Sequence, residues 1–202
     1  MMNALFASLS RVLRGPVERY VRPNRRLNSI AWDLQYKLGF WRYLDRLSDG
    51  EMPLALIETW APMPAILDLG CGSSANMPLP PGRYRHYHGV DVSRAAIAQA
   101  RGLARPHTSF SVADIRTFTT PSRFDAILLR EVLYYLSPHE QRELLLRLPA
   151  LLSPRGRIVV QVHDVTRASD VVDLVRGCGV PVDREVPARL GEGPAGAFLV
   201  LR

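Results

Sequence analysis

The apolar run Ala-Ile-Leu-Asp-Leu at residues 65–69 is followed by two closely spaced glycines, Gly70 and Gly72. Glycine has no Cβ and reaches positive φ at little cost, so such a turn lets the backbone pass close to a ligand. A second short run, Tyr-His-Gly-Val-Asp, brings Asp91 to its end. An acid at the tip of the next parallel strand is placed to meet ribose hydroxyls. The pair therefore predicts a nucleoside-binding site.

The glycine spacing alone also fits a dinucleotide site, because Gly70, Gly72 and Ala75 satisfy G-x-G-x-x-[GA]. Asp68 argues against this interpretation, since a carboxylate so close to the loop suits a cationic ligand and repels a pyrophosphate. Prolines at positions 78, 80 and 81 prevent a long helix after the loop. A dinucleotide site needs such a helix N-terminus for its phosphates.

The segments Leu-Asp-Leu-Gly-Cys-Gly and Gly-Val-Asp-Val-Ser, at residues 67–72 and 89–93, resemble class I S-adenosylmethionine-dependent methyltransferases. The likeness runs from about residue 30 to the C-terminus, and it departs from the family at Ser74, where a third glycine is common, and in the proline-broken helix. The resemblance implies that the glycine loop underlies the methionine part of the cofactor. It also implies that Asp91 binds the ribose and that Asp114 faces the adenine amino group. The predicted cofactor site comprises Asp68, Gly70, Cys71, Gly72, Asp91, Val92, Asp114, Ile115 and Arg130, and no metal site is predicted.

The strand-end acids have a structural alternative. A carboxylate that accepts ribose hydroxyls forms charge-assisted hydrogen bonds, each of about 1.5–3 kcal/mol. Aspartate before a helix is also a favoured N-cap. Three acids after three successive strands favour the ligand.

The chain, with 202 residues and 47% hydrophobic content, is long enough for one compact core. Short apolar runs alternate with helical patterns, which predicts a Rossmann-like, doubly wound α/β fold with a mostly parallel seven-stranded sheet and a C-terminal antiparallel hairpin. We expect an N-terminal basic arm and helical lid over residues 1–60 and a cofactor-binding domain over residues 61–202. The two cysteines, Cys71 and Cys178, suggest neither a metal site nor a disulfide. Predicted strands are 65–69, 86–91, 109–113, 124–129, 157–162, 182–187 and 197–201, and predicted helices are 93–103, 138–152 and 168–178.

Aromatic residues recur in the predicted lid. Trp32, Tyr36, Phe40 and Tyr43 have the spacing of one helix face, whereas Trp41 is expected to point elsewhere. Such a stripe forms either simple core or part of the site lining, where aromatic faces attract a sulfonium or an acceptor cation.

The segment after the fourth strand, Arg-Glu-Val-Leu-Tyr-Tyr-Leu-Ser-Pro, is expected to carry the acceptor chemistry. It lacks the Asn-Pro-Pro-Tyr or Asp-Pro-Pro-Tyr motif of DNA adenine and protein glutamine methyltransferases. Its run Glu-Val-Leu-Tyr-Tyr-Leu resembles the nodulation N-methyltransferases, which act on an amino sugar of a chitin-type oligosaccharide. The predicted catalytic residues are Glu131, Tyr135 and His163, because carboxylates and histidines accept protons from a nucleophile. Each has a structural alternative, as a turn cap, a packed ring or a strand-end side chain.

Charge leaves further functions open. The formal net charge is +7, and six arginines lie in the first 26 residues against the single acid Glu18. Interleaved apolar residues make this arm a basic amphipathic segment, which suits an anionic membrane surface, RNA phosphates or packing on the domain. No apolar run approaches the length of a membrane span and no secretory signal is recognisable, so we expect a cytoplasmic protein. The sequence thus predicts a methyltransferase acting on N or O of a small-molecule or saccharide acceptor, with an RNA methyltransferase or a non-catalytic cofactor-binding partner protein as alternatives.

Overall fold

The computed structural model describes residues 24–41, 51–189 and 195–202. Seven strands form one sheet in the order β3-β2-β1-β4-β5-β7-β6. In chain order the elements are α1 (Arg25–Lys37), α2 (Glu51–Glu58), β1 (Ala65–Leu69), β2 (His86–Asp91), α3 (Arg94–Gly102), β3 (Thr108–Val112), β4 (Phe124–Arg130), α4 (Pro138–Arg147), β5 (Leu152–Val162), α5 (Ser169–Gly177), β6 (Val182–Arg189) and β7 (Ala195–Leu201).

Strands β1 to β5 run parallel, and β7 pairs antiparallel with both β5 and β6. The chain first builds outward from β1 to β3, then crosses back to place β4 on the other side of β1. Open α/β sheets bind ligands in the crevice at such a switch point, outside the carboxyl ends of the strands. The predicted fold class and C-terminal hairpin are confirmed.

The two faces of the sheet carry separate hydrophobic layers. Adjacent residues of β1 point to opposite faces, so that Ile66 packs with Leu54 of α2 and Ile97 of α3, while Leu67 packs with Leu144 of α4 and Val175 of α5. All five residues of β1 are buried, as expected for a central parallel strand covered by helices on both sides.

Short polar side chains fix the helix starts that border the site. Ser93 is the N-cap of α3 and accepts a hydrogen bond from the Ala96 backbone. Ser137 and Glu140 form a capping box at α4, with Pro138 in the first turn. These caps satisfy N–H groups that the first helical turn leaves without partners.

Two boundaries differ from the sequence prediction by five residues, whereas the other predicted bounds differ by two residues at most. Helix α4 ends at Arg147 and continues as a 3₁₀ turn over Leu148–Leu151, because Pro149 has no N–H for an α-helical hydrogen bond. Strand β5 begins at Leu152, five residues early, and Ser153 there donates a hydrogen bond to Asp125 Oδ1 at 2.7 Å. A polar, proline-containing segment is therefore held in the strand by side-chain pairing that apolar patterning does not predict.

The predicted lid lies partly within the described residues. Helices α1 and α2 confirm helical structure there, whereas residues 1–23 and 42–50, including Tyr43 and most of the basic arm, lie outside them. The aromatic prediction is wrong in one respect. Because α1 ends at Lys37 and Gly39 turns the chain at φ +72°, Trp41 contacts Trp32, with ring centroids 5.4 Å apart, and Phe40 is 39% exposed. Among the described residues, no helix is long and apolar enough to cross a membrane.

Candidate active site

A pocket of about 590 Å³ opens at the carboxyl ends of the parallel strands, with α1 along one side. All twelve residues predicted for the cofactor and catalytic sites line it. The fold thus brings together side chains from five loops, while the role of each residue remains a prediction.

The glycine loop is held tightly against the end of β2. The backbone N–H groups of Gly70 and Cys71 both donate to the Val90 carbonyl, at 2.7 and 3.1 Å. Gly70 has φ +81°, and a Cβ there would lie 2.5 Å from Val132 Cγ2. Gly72 has φ +56°, and a Cβ there would overlap the Tyr36 hydroxyl of α1. Only glycine therefore fits both positions, and the bare backbone faces the pocket.

Asp91 organises the next loop with both carboxylate oxygens. Oδ2 accepts from the Gly72 N–H at 2.9 Å and Oδ1 from the Ser93 N–H at 2.8 Å. Burial raises the pKa of Asp91 to about 6, against the lowering effect of these two hydrogen bonds. Ser93 holds the N-cap of α3, so the alternative that Asp91 is this helix cap is wrong.

Asp68 presents an unpartnered oxygen. Its side chain is 2% exposed, and Tyr87 donates its hydroxyl to Oδ2 at 2.6 Å. Oδ1 is buried and has no hydrogen-bond partner among the described residues. Burial raises the pKa of this carboxyl, while the nearby Arg130 guanidinium opposes the shift. A buried carboxylate oxygen of this kind is suited to a cationic or N–H-donating ligand group.

Asp114 is engaged by a neighbour that the sequence analysis did not single out. Arg116 donates to both carboxylate oxygens, with Nε 2.9 Å from Oδ1 and Nη2 2.7 Å from Oδ2. The same guanidinium also donates to Glu140 Oε1 at 2.9 Å, which ties the loop to α4. An arginine two residues after an aspartate is the sequence signal from which the Asp114–Arg116 pair could have been predicted. Its consequence is a fixed orientation for Asp114 at the pocket wall.

Glu131 lies directly after β4 in a left-handed backbone conformation, φ +55°. Tyr134 donates its hydroxyl to Oε2 at 2.8 Å, and Oε1 is buried with no partner among the described residues. Burial raises the pKa of Glu131 to about 7, although hydrogen bonds from Tyr134 and the His163 backbone and the Arg130 charge lower it. A carboxyl with a pKa near neutrality is suited to accept a proton at physiological pH.

Aromatic rings form the wall beside Glu131. Tyr135 meets Trp32 edge-on, with ring centroids 4.8 Å apart, and Trp32 in turn contacts Trp41. The aromatic residues of α1 are thus site lining as well as packing. His163, after β5, is exposed at the pocket rim, and Arg130 donates to Gln161 Oε1 at 3.0 Å.

Asp33 holds α1 in place over the pocket. Its Oδ1 accepts from the Ser93 hydroxyl at 2.7 Å and from the Ala95 N–H at 3.1 Å, at the start of α3. Gln99 Nε2 adds a hydrogen bond to the Tyr36 carbonyl at 3.3 Å. The sequence analysis missed Asp33, because its partners lie some 60 residues away in the chain.

The chain is similar in sequence to known methyltransferases. Residues 66–156 match the family described as "Methyltransferase domain". Trans-aconitate 2-methyltransferase of Escherichia fergusonii is 38% identical over 101 residues, which are 49% of this chain and 39% of that protein. Nodulation protein S of Sinorhizobium fredii is 32% identical over 109 residues, 52% of this chain and 50% of that protein. The chain spans half or less of the length of these curated relatives.

Solved structures share the fold at lower identity. The N-methyltransferase NodS from Bradyrhizobium japonicum, in complex with S-adenosylhomocysteine, gives a TM-score of 0.63 at 22% identity over 75% of this chain and 84% of that one. A SAM-dependent methyltransferase from Leishmania major gives a TM-score of 0.68 at 18% identity over 93% of this chain and 82% of that one. The shared architecture includes the mostly parallel sheet that forms the pocket.

Proposed function

We propose that this chain is a class I S-adenosylmethionine-dependent methyltransferase that methylates an amine nitrogen. Residues 66–156 match the methyltransferase-domain family, and the fold is shared with solved methyltransferases. The acceptor is a small molecule or a saccharide. The observation that carries the nitrogen assignment is the buried Oε1 atom of Glu131, which lacks a partner among the described residues beside an aromatic wall.

The residues around the glycine loop fit S-adenosylmethionine. Asp91 would accept the ribose hydroxyls, and the free oxygen of Asp68 would accept from the cationic methionine end. Glycine at positions 70 and 72 lets Val132 and Tyr36 pack directly on the loop, so that the loop backbone and these two side chains line the pocket where that end of the cofactor would lie. When bound, the cofactor supplies a methyl group already activated by its sulfonium.

The enzyme's own task is then to align acceptor and methyl group and to remove a proton. Alignment of reacting groups accounts for about 7–11 kcal/mol in favourable cases. Trp32, Tyr135 and Glu131 line the side of the pocket from which an acceptor would approach. An ammonium or amine is attracted by the aromatic faces and by the carboxylate together.

The pKa of Glu131 favours an amine over a hydroxyl. A carboxyl with a pKa of about 7 lies within a few units of an alkylammonium, whose pKa is about 10.4 in lysine. An alcohol is far less acidic, near water at about 15.7. Proton transfer to Glu131 is therefore feasible from an ammonium and strongly uphill from an alcohol. NodS from Bradyrhizobium japonicum, which shares the fold, is itself named an N-methyltransferase.

Cofactor choice is tested first, by isothermal titration of the purified chain. We expect binding of S-adenosylmethionine and S-adenosylhomocysteine and none of NAD. Affinity for NAD without affinity for S-adenosylhomocysteine would overturn the proposal.

The acceptor is sought by incubating the protein and trideuteromethyl-labelled cofactor with a metabolite extract and recording products by mass spectrometry. We expect label on the nitrogen of a small amine, located by fragmentation, and no such product with the Glu131→Gln variant. Label found only in RNA, or only on oxygen, would contradict the proposed acceptor.

A further inference from the structure

Helix α1 carries large apolar side chains on its outer surface. Leu27, Ile30, Leu34 and Leu38, here called the outer stripe, are 46%, 62%, 55% and 58% exposed. Their spacings of three, four and four residues place them along one side of the helix. No residue of the described ranges covers this side.

The opposite side of α1 faces the pocket. Asn28, Trp32 and Tyr36, spaced four residues apart, all line it. With 3.6 residues per turn, this row lies roughly opposite the outer stripe. Asp33 ties the helix to the start of α3, so the inner row already has its partner and the outer stripe remains turned away from the domain. The stripe is therefore not a displaced part of the core.

Positive charge accompanies the outer stripe. Arg26 and Lys37 are exposed at the two ends of α1. The sequence directly before the helix, residues 1–23, adds Arg11, Arg14, Arg19 and Arg22 against the single acid Glu18. Apolar side chains flanked by arginines and lysines have the composition of elements that lie in the headgroup region of anionic membranes.

We propose that the outer stripe of α1 docks on an anionic phospholipid surface, with Arg26 and Lys37 paired to lipid headgroups. Charge complementarity selects this occupant over a second copy of the chain, because two copies, each of net charge +7, repel each other. RNA would attract the charges but would leave the apolar stripe exposed to water. The proposal concerns where the protein acts and does not depend on the acceptor.

The test is co-sedimentation of the full chain with vesicles, either pure phosphatidylcholine or phosphatidylcholine containing phosphatidylglycerol. We expect binding to the anionic vesicles alone, falling as salt rises. The double variant Ile30→Gln with Leu34→Gln removes half of the stripe while keeping a good helix former. We expect it to lower vesicle partitioning at least about tenfold.

The matched control is Leu103→Gln with Leu146→Gln, since these side chains are 40% and 52% exposed elsewhere on the domain. It should bind vesicles like the parent. Unchanged binding by the stripe variant would overturn the proposal, as would absence of vesicle binding by the parent at low salt. Two other results would also overturn it and would name the true occupant. If the parent forms a concentration-dependent dimer that the stripe variant does not form, the occupant is a second copy of the chain. If the parent does not bind vesicles and the stripe variant alone has a lowered melting temperature, the stripe is covered by the chain's own N-terminal segment.

Discussion

At the scale of single residues, Glu131 combines three unfavourable features. Its backbone adopts a left-handed conformation, its carboxyl is buried, and one carboxyl oxygen has no partner among the described residues. A non-glycine residue in that conformation costs on the order of 1 kcal/mol or more. Such local costs persist where the surrounding structure enforces them, most often at functional sites. Function is therefore the simplest explanation for retaining glutamate here.

The substitution Glu131→Gln keeps the shape of the side chain and removes its proton-accepting charge. We expect turnover to fall by about 100- to 10,000-fold, with S-adenosylhomocysteine affinity nearly unchanged. In the parent the rate should rise with pH as Glu131 loses its proton, in a step at or below about pH 7, because a bound sulfonium cation favours the charged carboxylate. The measurement is a pH–rate profile of both proteins with the identified acceptor.

His163→Ala serves as the comparison, since His163 is the other predicted proton acceptor. If it abolishes turnover while Glu131→Gln does not, the base is His163 and the role given to Glu131 is wrong. If both variants turn over like the parent, solvent removes the proton and both residues are structural.

The proposed function assigns Asp91 to the cofactor rather than to the acceptor. We expect Asp91→Ala to weaken S-adenosylhomocysteine binding by about 1.5–3 kcal/mol, or roughly 10- to 150-fold, because the ribose hydroxyls lose a charged acceptor. The raised pKa adds a pH dependence with a definite sign. Below about pH 6 the folded, cofactor-free protein holds Asp91 protonated, so affinity should fall as pH decreases through that value.

Calorimetric titrations between pH 5 and 8 measure both effects. Circular dichroism of Asp91→Ala confirms that it is folded. A folded variant with the parent's affinity would show that the cofactor does not use Asp91.

At the scale of elements, one carboxylate oxygen ties α1 to the first turn of α3. Asp33 Oδ1 accepts two hydrogen bonds from the first turn of α3, next to the loop that Asp91 organises. Movement of α1 away from the pocket must break both bonds. We therefore expect this pair of hydrogen bonds to set part of the barrier to cofactor exchange.

Removing that link should speed cofactor release. We expect Asp33→Ala to raise the dissociation rate of S-adenosylhomocysteine about fivefold, corresponding to a loss of about 1 kcal/mol. Asp33→Asn is the matched control, because its amide oxygen still accepts both hydrogen bonds. Stopped-flow fluorescence of Trp32 and Trp41 follows the release. Equal rates in parent and Asp33→Ala would mean that α1 does not limit exchange.

Some element boundaries and site residues can be predicted from local sequence patterns, and others cannot. Strands β1 and β2 match their predicted bounds, because the fully buried β1 and the largely buried β2 are short runs that end in turn-forming residues. The start of β5 was missed since Ser153 is held by a side-chain partner, Asp125, from another strand. The same limit explains the missed Asp33 and the misplaced Trp41. Their positions depend on tertiary neighbours and on a helix end, which local periodicity does not report. The glycines and strand-end acids could be predicted, because the carboxyl ends of parallel strands lie at the same edge of a sheet.

At the scale of the whole molecule, the domain core and the basic arm are separate in sequence. Of the residues that the structure describes, those that line the pocket lie at or beyond Asn28, and those of both core layers lie beyond residue 50. Deletion of residues 1–20 should therefore leave a folded protein that binds S-adenosylhomocysteine. Circular dichroism and titration calorimetry check this expectation.

The deletion also separates surface binding from cofactor binding. The deletion removes Arg11, Arg14 and Arg19 and keeps Arg22. The shortened protein should therefore bind anionic vesicles more weakly than the full chain. A deletion that abolishes solubility or cofactor binding would instead place residues 1–20 in the fold itself.

Strand β7 has a consequence for synthesis on the ribosome. It follows every other strand in the chain, yet it lies between β5 and β6, and Phe198 to Leu201 are at most 1% exposed. Until residues 195–201 have left the exit tunnel, β5 keeps an unpaired edge and β6 has no neighbour in the sheet. Open edges of this kind recruit other chains. The nascent protein is therefore most prone to aggregation before this strand has left the tunnel, and a chaperone that shields β5 would act in that interval.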